Sequence, residues 1–243
     1  MDLNTKEAGK DGRGTFYREA GKCPRRIALI LLAFTLLSAS AYSADIPVDE
    51  NVRVFLNNLE ESISKMDAYK CRMVSENWKG KKHESKIMEF YFKKPNLMRM
   101  DVLEGDKAGS VVLLNKEGKI RGKNSMGMRK TLKPTDNRLK NIRGATFMQS
   151  SLWDMMDRLR DHILERGCKA TLTEEENMLR PSYRLRVEHK DADDPVMLEE
   201  VWYDKSNYFI MKKIKHEGNT KVTDIVWEDC QINIPLDDGL FVQ

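Results

Sequence analysis

The stretch from Lys86 to Val102 constrains the fold most, because it contains two apolar rows of strand period on either side of a proline. A period of two places every second residue on the same face of a strand. Proline donates no hydrogen bond to a sheet, so Pro95 belongs at a junction between strands. The sequence therefore predicts two strands joined at Pro95-Asn96. Their apolar rows are Met88, Phe90 and Phe92 on the first strand, and Met98, Met100 and Val102 on the second.

Two interpretations of these rows are open from the pattern alone. Period-two apolar rows usually form the core of a sheet. Phenylalanine and methionine side chains are also bulky and pliable, which suits a surface that adapts to apolar ligands. The periodicity favours core over ligand surface.

The N-terminal 43 residues have the pattern of an export signal. Residues 1–21 are polar and lack an apolar period, which is typical of disorder. A basic segment ending at Arg26, an 11-residue apolar run and small residues around Ser43 follow. This order predicts a signal peptide cleaved near Ser43, with cleavage after Ala41 as a close second. The run is short for a membrane span of about 20 residues, and an uncleaved anchor is the alternative. We expect residues 44–243 to form a single domain.

Composition and motifs exclude several function classes. The net charge is only +4 over 243 residues and the basic residues are not blocked together, so no nucleic-acid partner is expected. The sequence contains no HExxH, P-loop, GxGxxG or nucleophile elbow. The four histidines are scattered. We therefore expect no catalytic residues, no metal site, no cofactor and no enzyme activity.

Three cysteines follow the predicted signal peptide: Cys71, Cys168 and Cys230. No two of them show CxxC or zinc-ligand spacing. In an oxidising compartment two of them would pair, and three pairings are open. Cys168 with Cys230 is the predicted pair, because both lie in the C-terminal half.

Hydrophobic periodicity divides the remaining chain into helices and strands. Apolar residues at helical spacing predict a helix over 48–66. Short strands with tight turns follow, which is typical of an antiparallel meander. A second helix is predicted after cap candidates Ser150 and Ser151, ending before Gly167, and further strands complete the chain. The apolar stripe of that second helix contains Leu152, Met155, Met156, Leu159 and Ile163.

This order of elements, together with Lys93-Lys94-Pro95-Asn96-Leu97-Met98-Arg99-Met100, resembles the periplasmic outer-membrane lipoprotein carriers, the LolA-like superfamily. The resemblance covers residues 48–243. It implies an α+β fold: a strongly bent antiparallel sheet of about 10–11 strands, an unclosed half-barrel with helices packed as a lid on the concave face. The concave face of such a fold takes up acyl chains.

The resemblance also implies roles for individual residues. Lys94 stands where the family usually has an arginine that helps to hold the lid, and lysine lacks the planar fork of arginine. The segment 122–127 replaces the family's usual aromatic-rich strand, which indicates a divergent member with a different cargo. The apolar rows and the second helix would then line an acyl trough. Its predicted ligand-binding residues are Met88, Phe90, Phe92, Met98, Met100, Met155, Met156 and Leu159.

Three functions are therefore compared. The first is a periplasmic carrier of lipid or lipoprotein acyl chains in outer-membrane lipoprotein sorting, with an inner-membrane donor and an outer-membrane acceptor as protein partners. The second is a membrane-tethered sensor or adaptor of the same fold, which binds lipid or a protein partner. The third is a hydrolase on a similar sheet. The absence of enzyme motifs favours the first two.

Overall fold

The computed structural model describes residues 48–176, 180–190 and 195–242. The described residues all belong to one compact unit, Ile46–Gln243. The predicted signal peptide lies outside the described residues. No helix among the described residues is long and apolar enough to cross a membrane.

Eleven strands form one antiparallel sheet in the described part of the chain. They are β1 (Ala68–Lys79), β2 (Lys82–Lys93), β3 (Leu97–Gly105), β4 (Val111–Leu114), β5 (Ile120–Lys123), β6 (Arg129–Leu132), β7 (Lys169–Glu175), β8 (Ser182–Glu188), β9 (Leu198–Asp204), β10 (Ile210–Glu217) and β11 (Thr220–Ile232). Their spatial order is β6-β5-β4-β3-β2-β1-β11-β10-β9-β8-β7, so β6 and β7 are edges and the sheet is not closed. The predicted α+β fold with an unclosed sheet is confirmed.

Two α-helices are described. Helix α1 (Glu50–Ser64) begins at Asp49, whose side chain accepts a hydrogen bond from the backbone N–H of Asn51. Helix α2 (Leu152–Arg160) begins at the predicted cap Ser151, which accepts from the N–H of Asp154 at 3.1 Å. It continues into a π-helical turn over Asp161–Glu165. A side-chain oxygen at such a cap satisfies one of the free N–H groups of the first helical turn.

The inner face of the sheet and the apolar faces of both helices form one buried cluster. At one end of the sheet the ring of Tyr69 stacks on Phe92 at 5.2 Å between centroids and lies 6.0 Å from Phe90. Phe55 of α1 meets the ring of Tyr203 edge-on at 5.3 Å. Aromatic pairs at these distances add to the burial of apolar area, so this end of the half-barrel is closely packed.

The C-terminal residues pack on the opposite face of the sheet. Phe241 and Leu236 form a small second cluster with Ala68 and Tyr91. Arg99 of β3 fixes this segment by donating to the carbonyl oxygen of Leu240 at 2.8 Å. The outer face near the centre of the sheet is therefore also covered.

The predicted Cys168–Cys230 disulfide is wrong, because the three cysteines among the described residues are free. The β1–β11 pairing has a register shift opposite Cys71, where Lys70 pairs with Gln231 and Arg72 with Glu228. This shift brings Cys230 beside Cys71. Hydrogen bonding between the two thiols, together with burial, raises the pKa of Cys71 well above its ordinary value.

Candidate functional site

A cavity of about 840 Å³ lies between the inner face of the sheet, helix α2 and the segment 134–151. This volume falls within the range of about 300–1,000 Å³ that is typical of ligand pockets. The cavity occupies the part of the half-barrel beside the closely packed end that α1 covers. The described side chains therefore fill one end of the concave face and leave a hollow in the other.

One wall of the cavity is apolar. It comes from inward-facing residues of neighbouring strands, which the antiparallel registers place side by side: Met73 of β1 pairs with Met88 of β2 on one side and with Trp227 of β11 on the other. Helix α2 covers the wall with Met155 and Leu159. The apolar residues that line the sheet side include Met73, Met88, Met100, Val112, Val201, Ile225 and Trp227.

The predicted ligand-binding residues divide between this wall and the core. Four of them line the cavity: Met88, Met100, Met155 and Leu159. The other four, Phe90, Phe92, Met98 and Met156, are at most 3% exposed and are not among the lining residues, although they share one buried cluster with Met88, Met155 and Leu159. The reason is the ring of Tyr69, which packs against Phe90 and Phe92, the part of the row nearest to Pro95.

Lys94 contacts the C-terminal end of α1. Its Nζ donates to the carbonyl oxygen of Ser64 at 2.7 Å and to the carboxylate of Asp67 at 2.9 Å. A cation at the last carbonyls of a helix interacts favourably with the helix dipole. Lys94 thus joins the β2–β3 turn to the helix that covers the packed end of the sheet.

The same sheet face becomes polar toward the β1–β2 hairpin. Asn77 of β1 donates to Ser75 at 3.0 Å and accepts from Thr223 of β11 at 3.1 Å. Beside them, Lys86 forms an ion pair with Glu84 at 2.9 Å, and both side chains are buried. Alternation along β2 places Glu84 and Lys86 on the face of Met88, but apolar periodicity alone does not identify charged residues as part of a site.

Segment 134–151 runs over the cavity and is held at its rim. The Asn141 side chain accepts from the N–H groups of Arg143 and Ala145, both at 3.0 Å, which fixes a tight turn. Arg143 donates to the carbonyl oxygen of Trp78 at 2.7 Å and forms an ion pair with Glu217. These anchors lie on the β1–β2 and β10–β11 hairpins, so the segment bridges the rim of the half-barrel.

Lys213 of β10 is a charged residue that is buried in the cavity wall. Its side chain lines the cavity and is 9% exposed, between Val201 of β9 and Ile225 of β11. Burial lowers its pKa to about 8, because the charged ammonium loses solvation there. Its Nζ lies 3.6 Å from the sulfur of Met155, which is a weak acceptor.

A second polar group lies next to Lys213. Glu199 of β9 forms an ion pair with Lys215 at 3.1 Å, and a ring nitrogen of His189 lies 3.5 Å from its carboxylate. Burial alone would raise the pKa of Glu199, but the charge of Lys215 and the hydrogen bond from His189 hold it well below its ordinary value. Among the described residues no group of three or more His, Cys, Asp or Glu side chains is placed to hold a metal ion.

Comparison with solved structures places the fold among known ones. An uncharacterized conserved protein from Thermus thermophilus aligns with a TM-score of 0.50 at 8% identity, over 79% of this chain and 93% of that chain. Lipoprotein LppX of Mycobacterium tuberculosis aligns with a TM-score of 0.47 at 7% identity, over 78% and 98%. A LolA superfamily protein from Nitrosomonas europaea aligns with a TM-score of 0.38 at 12% identity, over 79% and 97%.

No protein-family model and no curated protein matches the sequence. The Thermus alignment shows a shared fold and nothing finer. The open eleven-stranded antiparallel sheet with two helices is the arrangement that the resemblance implied. The chain therefore shares its fold, an open antiparallel sheet with two helices, with the Thermus protein.

Proposed function

We propose that this protein is a periplasmic carrier that binds lipid or lipoprotein acyl chains in the cavity and takes part in outer-membrane lipoprotein sorting. The supporting observation is the cavity itself: about 840 Å³ bounded on one side by methionine, valine and tryptophan side chains. An ordinary sheet core is packed with few voids larger than a water molecule. A hollow of this size with an apolar wall suits a hydrocarbon chain.

The energetics suit a carrier that must release its cargo. Each methylene transferred from water to the apolar wall contributes about 0.8 kcal/mol. Association itself costs about 4–15 kcal/mol, so a chain of about fourteen carbons binds reversibly. In this proposal the signal peptide directs export and is cleaved near Ser43. A donor protein at the inner membrane and an acceptor at the outer membrane then exchange cargo with the cavity, and no covalent chemistry is required.

The proposal is tested by binding of the neutral fluorescent probe N-phenyl-1-naphthylamine. The variant Met100→Trp places a larger side chain in the cavity wall and should weaken probe binding by tenfold or more. Leu103→Trp is the matched control, because Leu103 lies on the same strand and is 46% exposed. It should leave binding unchanged. Thermal unfolding of both variants within about 4 °C of the wild type would exclude general destabilisation.

Native mass spectrometry of protein extracted from the periplasm gives the second test. The proposal predicts bound molecules with masses of lipids or acylated peptides, and their loss in Met100→Trp. A wild-type protein that binds no probe and carries no lipid would refute the carrier function. Retention of the chain at the membrane with a stable protein partner and an empty cavity would favour the sensor or adaptor function instead.

A further inference from the structure

The charges around the cavity are strongly unequal. Its described lining contains ten lysine or arginine side chains and two glutamates. Several of these cations are compensated by nearby carboxylates and do not by themselves indicate a ligand. The compensated pairs are Lys86 with Glu84 at 2.9 Å, Arg158 with Asp154 at 2.7 Å, Lys215 with Glu199 at 3.1 Å, and Arg143 with Glu217.

Lys213 differs from these because it pairs with no carboxylate among the described residues. Its Nζ has two neutral neighbours, the sulfur of Met155 at 3.6 Å and the ring of Trp227 at 5.8 Å from the centroid. Glu199 on the adjacent strand attracts Lys213 electrostatically, but it forms its ion pair with Lys215. A buried ammonium without a counter-ion is costly, and proteins usually pair such a charge.

The direction of the Lys213 side chain comes from a β-bulge. In the β9–β10 pairing, Ile210 lies opposite Tyr203 and Lys212 opposite Trp202, so one extra residue of β10 is inserted between them. A bulge changes which side chains point to a given face. Without the bulge, the side chains of Lys213 and Ile210 would point to opposite faces of the sheet. With it, both residues line the cavity.

We propose that the cavity takes amphiphiles with one anionic head group, a carboxylate or a phosphate, which forms an ion pair with Lys213 while the hydrocarbon chain lies along the apolar wall. This inference rests on the carrier function proposed above and specifies its ligand class. The neighbours of Lys213 across the sheet, Val201 and Ile225, belong to the apolar wall. The binding site for the charge and the site for the chain are therefore contiguous. A carboxylate or phosphate supplies the counter-ion that the described residues do not.

The test compares three twelve-carbon ligands that differ only in their head groups: dodecanoate, dodecyl phosphate and dodecan-1-ol. Each displaces N-phenyl-1-naphthylamine from the protein at pH 7. A charge-assisted hydrogen bond in a buried site should make the anionic ligands bind about ten- to a hundredfold more tightly than the alcohol. The ratio of the two anions distinguishes a fatty-acid from a phospholipid-like head group.

Three variants assign the preference to Lys213. Lys213→Met should abolish the preference for anions, so that the three ligands displace the probe from this variant with affinities within about twofold of one another. Lys213→Arg should retain most of the preference, because the charge is kept. Lys212→Met is the matched control: the neighbouring side chain lies 5.8 Å from the ring of Trp202 and is not among the cavity-lining residues. It should behave as the wild type.

The outcomes separate this inference from the carrier function. If the wild type binds all three ligands equally, or if Lys213→Met keeps its preference for anions, the head-group inference is wrong and the carrier function stands. If the wild type binds neither the probe nor any twelve-carbon ligand, the carrier function itself fails. A preference for either anion that disappears in Lys213→Met and persists in Lys213→Arg supports the inference.

Discussion

Replacing Lys213 by methionine should stabilise the ligand-free protein at neutral pH. Burial lowers the pKa of Lys213 from its ordinary value of 10.5 to about 8. Each unit of pKa corresponds to about 1.36 kcal/mol, so the charged ammonium makes the folded state less stable by about 3 kcal/mol. Methionine has a similar length and fits an apolar environment without that cost. We therefore expect Lys213→Met to raise the free energy of unfolding at pH 7 by up to about 3 kcal/mol.

The same shift in pKa predicts a pH dependence with a definite sign. The folded-state pKa of Lys213, about 8, is lower than the unfolded-state value of 10.5, so between these two pH values the unfolded state binds more protons. Stability contributed by this group therefore rises with pH in that window. Below pH 8 the buried ammonium lowers the stability of the folded state by its full amount. Above pH 10.5 the group is neutral in both states and this effect is absent. The stability difference between Lys213→Met and the wild type should shrink by about 3 kcal/mol across the window.

Urea unfolding at pH 7, 8, 9 and 10 measures this difference. The groups that face Lys213 electrostatically are Glu199 and Lys215 on the sheet and Asp154 and Arg158 on α2. Carboxylates stay ionised and arginine stays protonated throughout the window. Lys215→Met, measured in parallel, separates the contribution of the second lysine. A stability difference that is independent of pH, or a Lys213→Met variant less stable than the wild type at pH 7, would refute the buried-charge argument.

Three further predictions concern the packing around the cavity. Mild oxidation by a small-molecule disulfide should join Cys71 to Cys230, because their thiols are in contact. Non-reducing peptide mapping checks this, and linkage of Cys168 to either partner would contradict it. Arg143→Ala should free segment 134–151 by removing its bonds to Trp78 and Glu217. Release of the probe, measured by stopped-flow fluorescence, should then be about tenfold faster. An unchanged release rate would show that the segment does not control ligand release. Phe90→Ala should cost about 3–5 kcal/mol of stability in urea unfolding, because the ring is fully buried.

The fold was predictable because its local patterns agree with one another. The predicted helix over 48–66 is observed over 50–64, and the strands on both sides of Pro95 lie within a few residues of their predicted limits. Regular alternation with Gly-containing turns leaves few alternatives to an antiparallel meander. Met126, Met128 and Leu132 predict a further strand over 126–133. The strand is observed only over 129–132, because Asn124 and Gly127 form a turn there.

The site was less predictable, because period-two alternation assigns a residue to a face and cannot assign it to a part of that face. Phe90 and Met88 belong to the same row of β2, yet Phe90 is packed with Tyr69 and Met88 lines the cavity. What separates them is the packing around Tyr69. That packing depends on contacts between residues far apart in the sequence, such as Tyr69 with Phe209.

Lys213 was missed for a different reason. Alternation from Ile210 assigns Lys213 to the outer face, and only the bulge in β10 reverses it. Local sequence contains no clear signal for that bulge: the segment 210–215 is Ile-Met-Lys-Lys-Ile-Lys, in which charged residues are expected to face water. The bulge therefore buries the charge of Lys213, and this burial makes the folded state less stable. A residue that lowers stability against the local sequence rules is more often functional than structural. For this physical reason Lys213 is a stronger candidate for ligand recognition than the apolar residues around it.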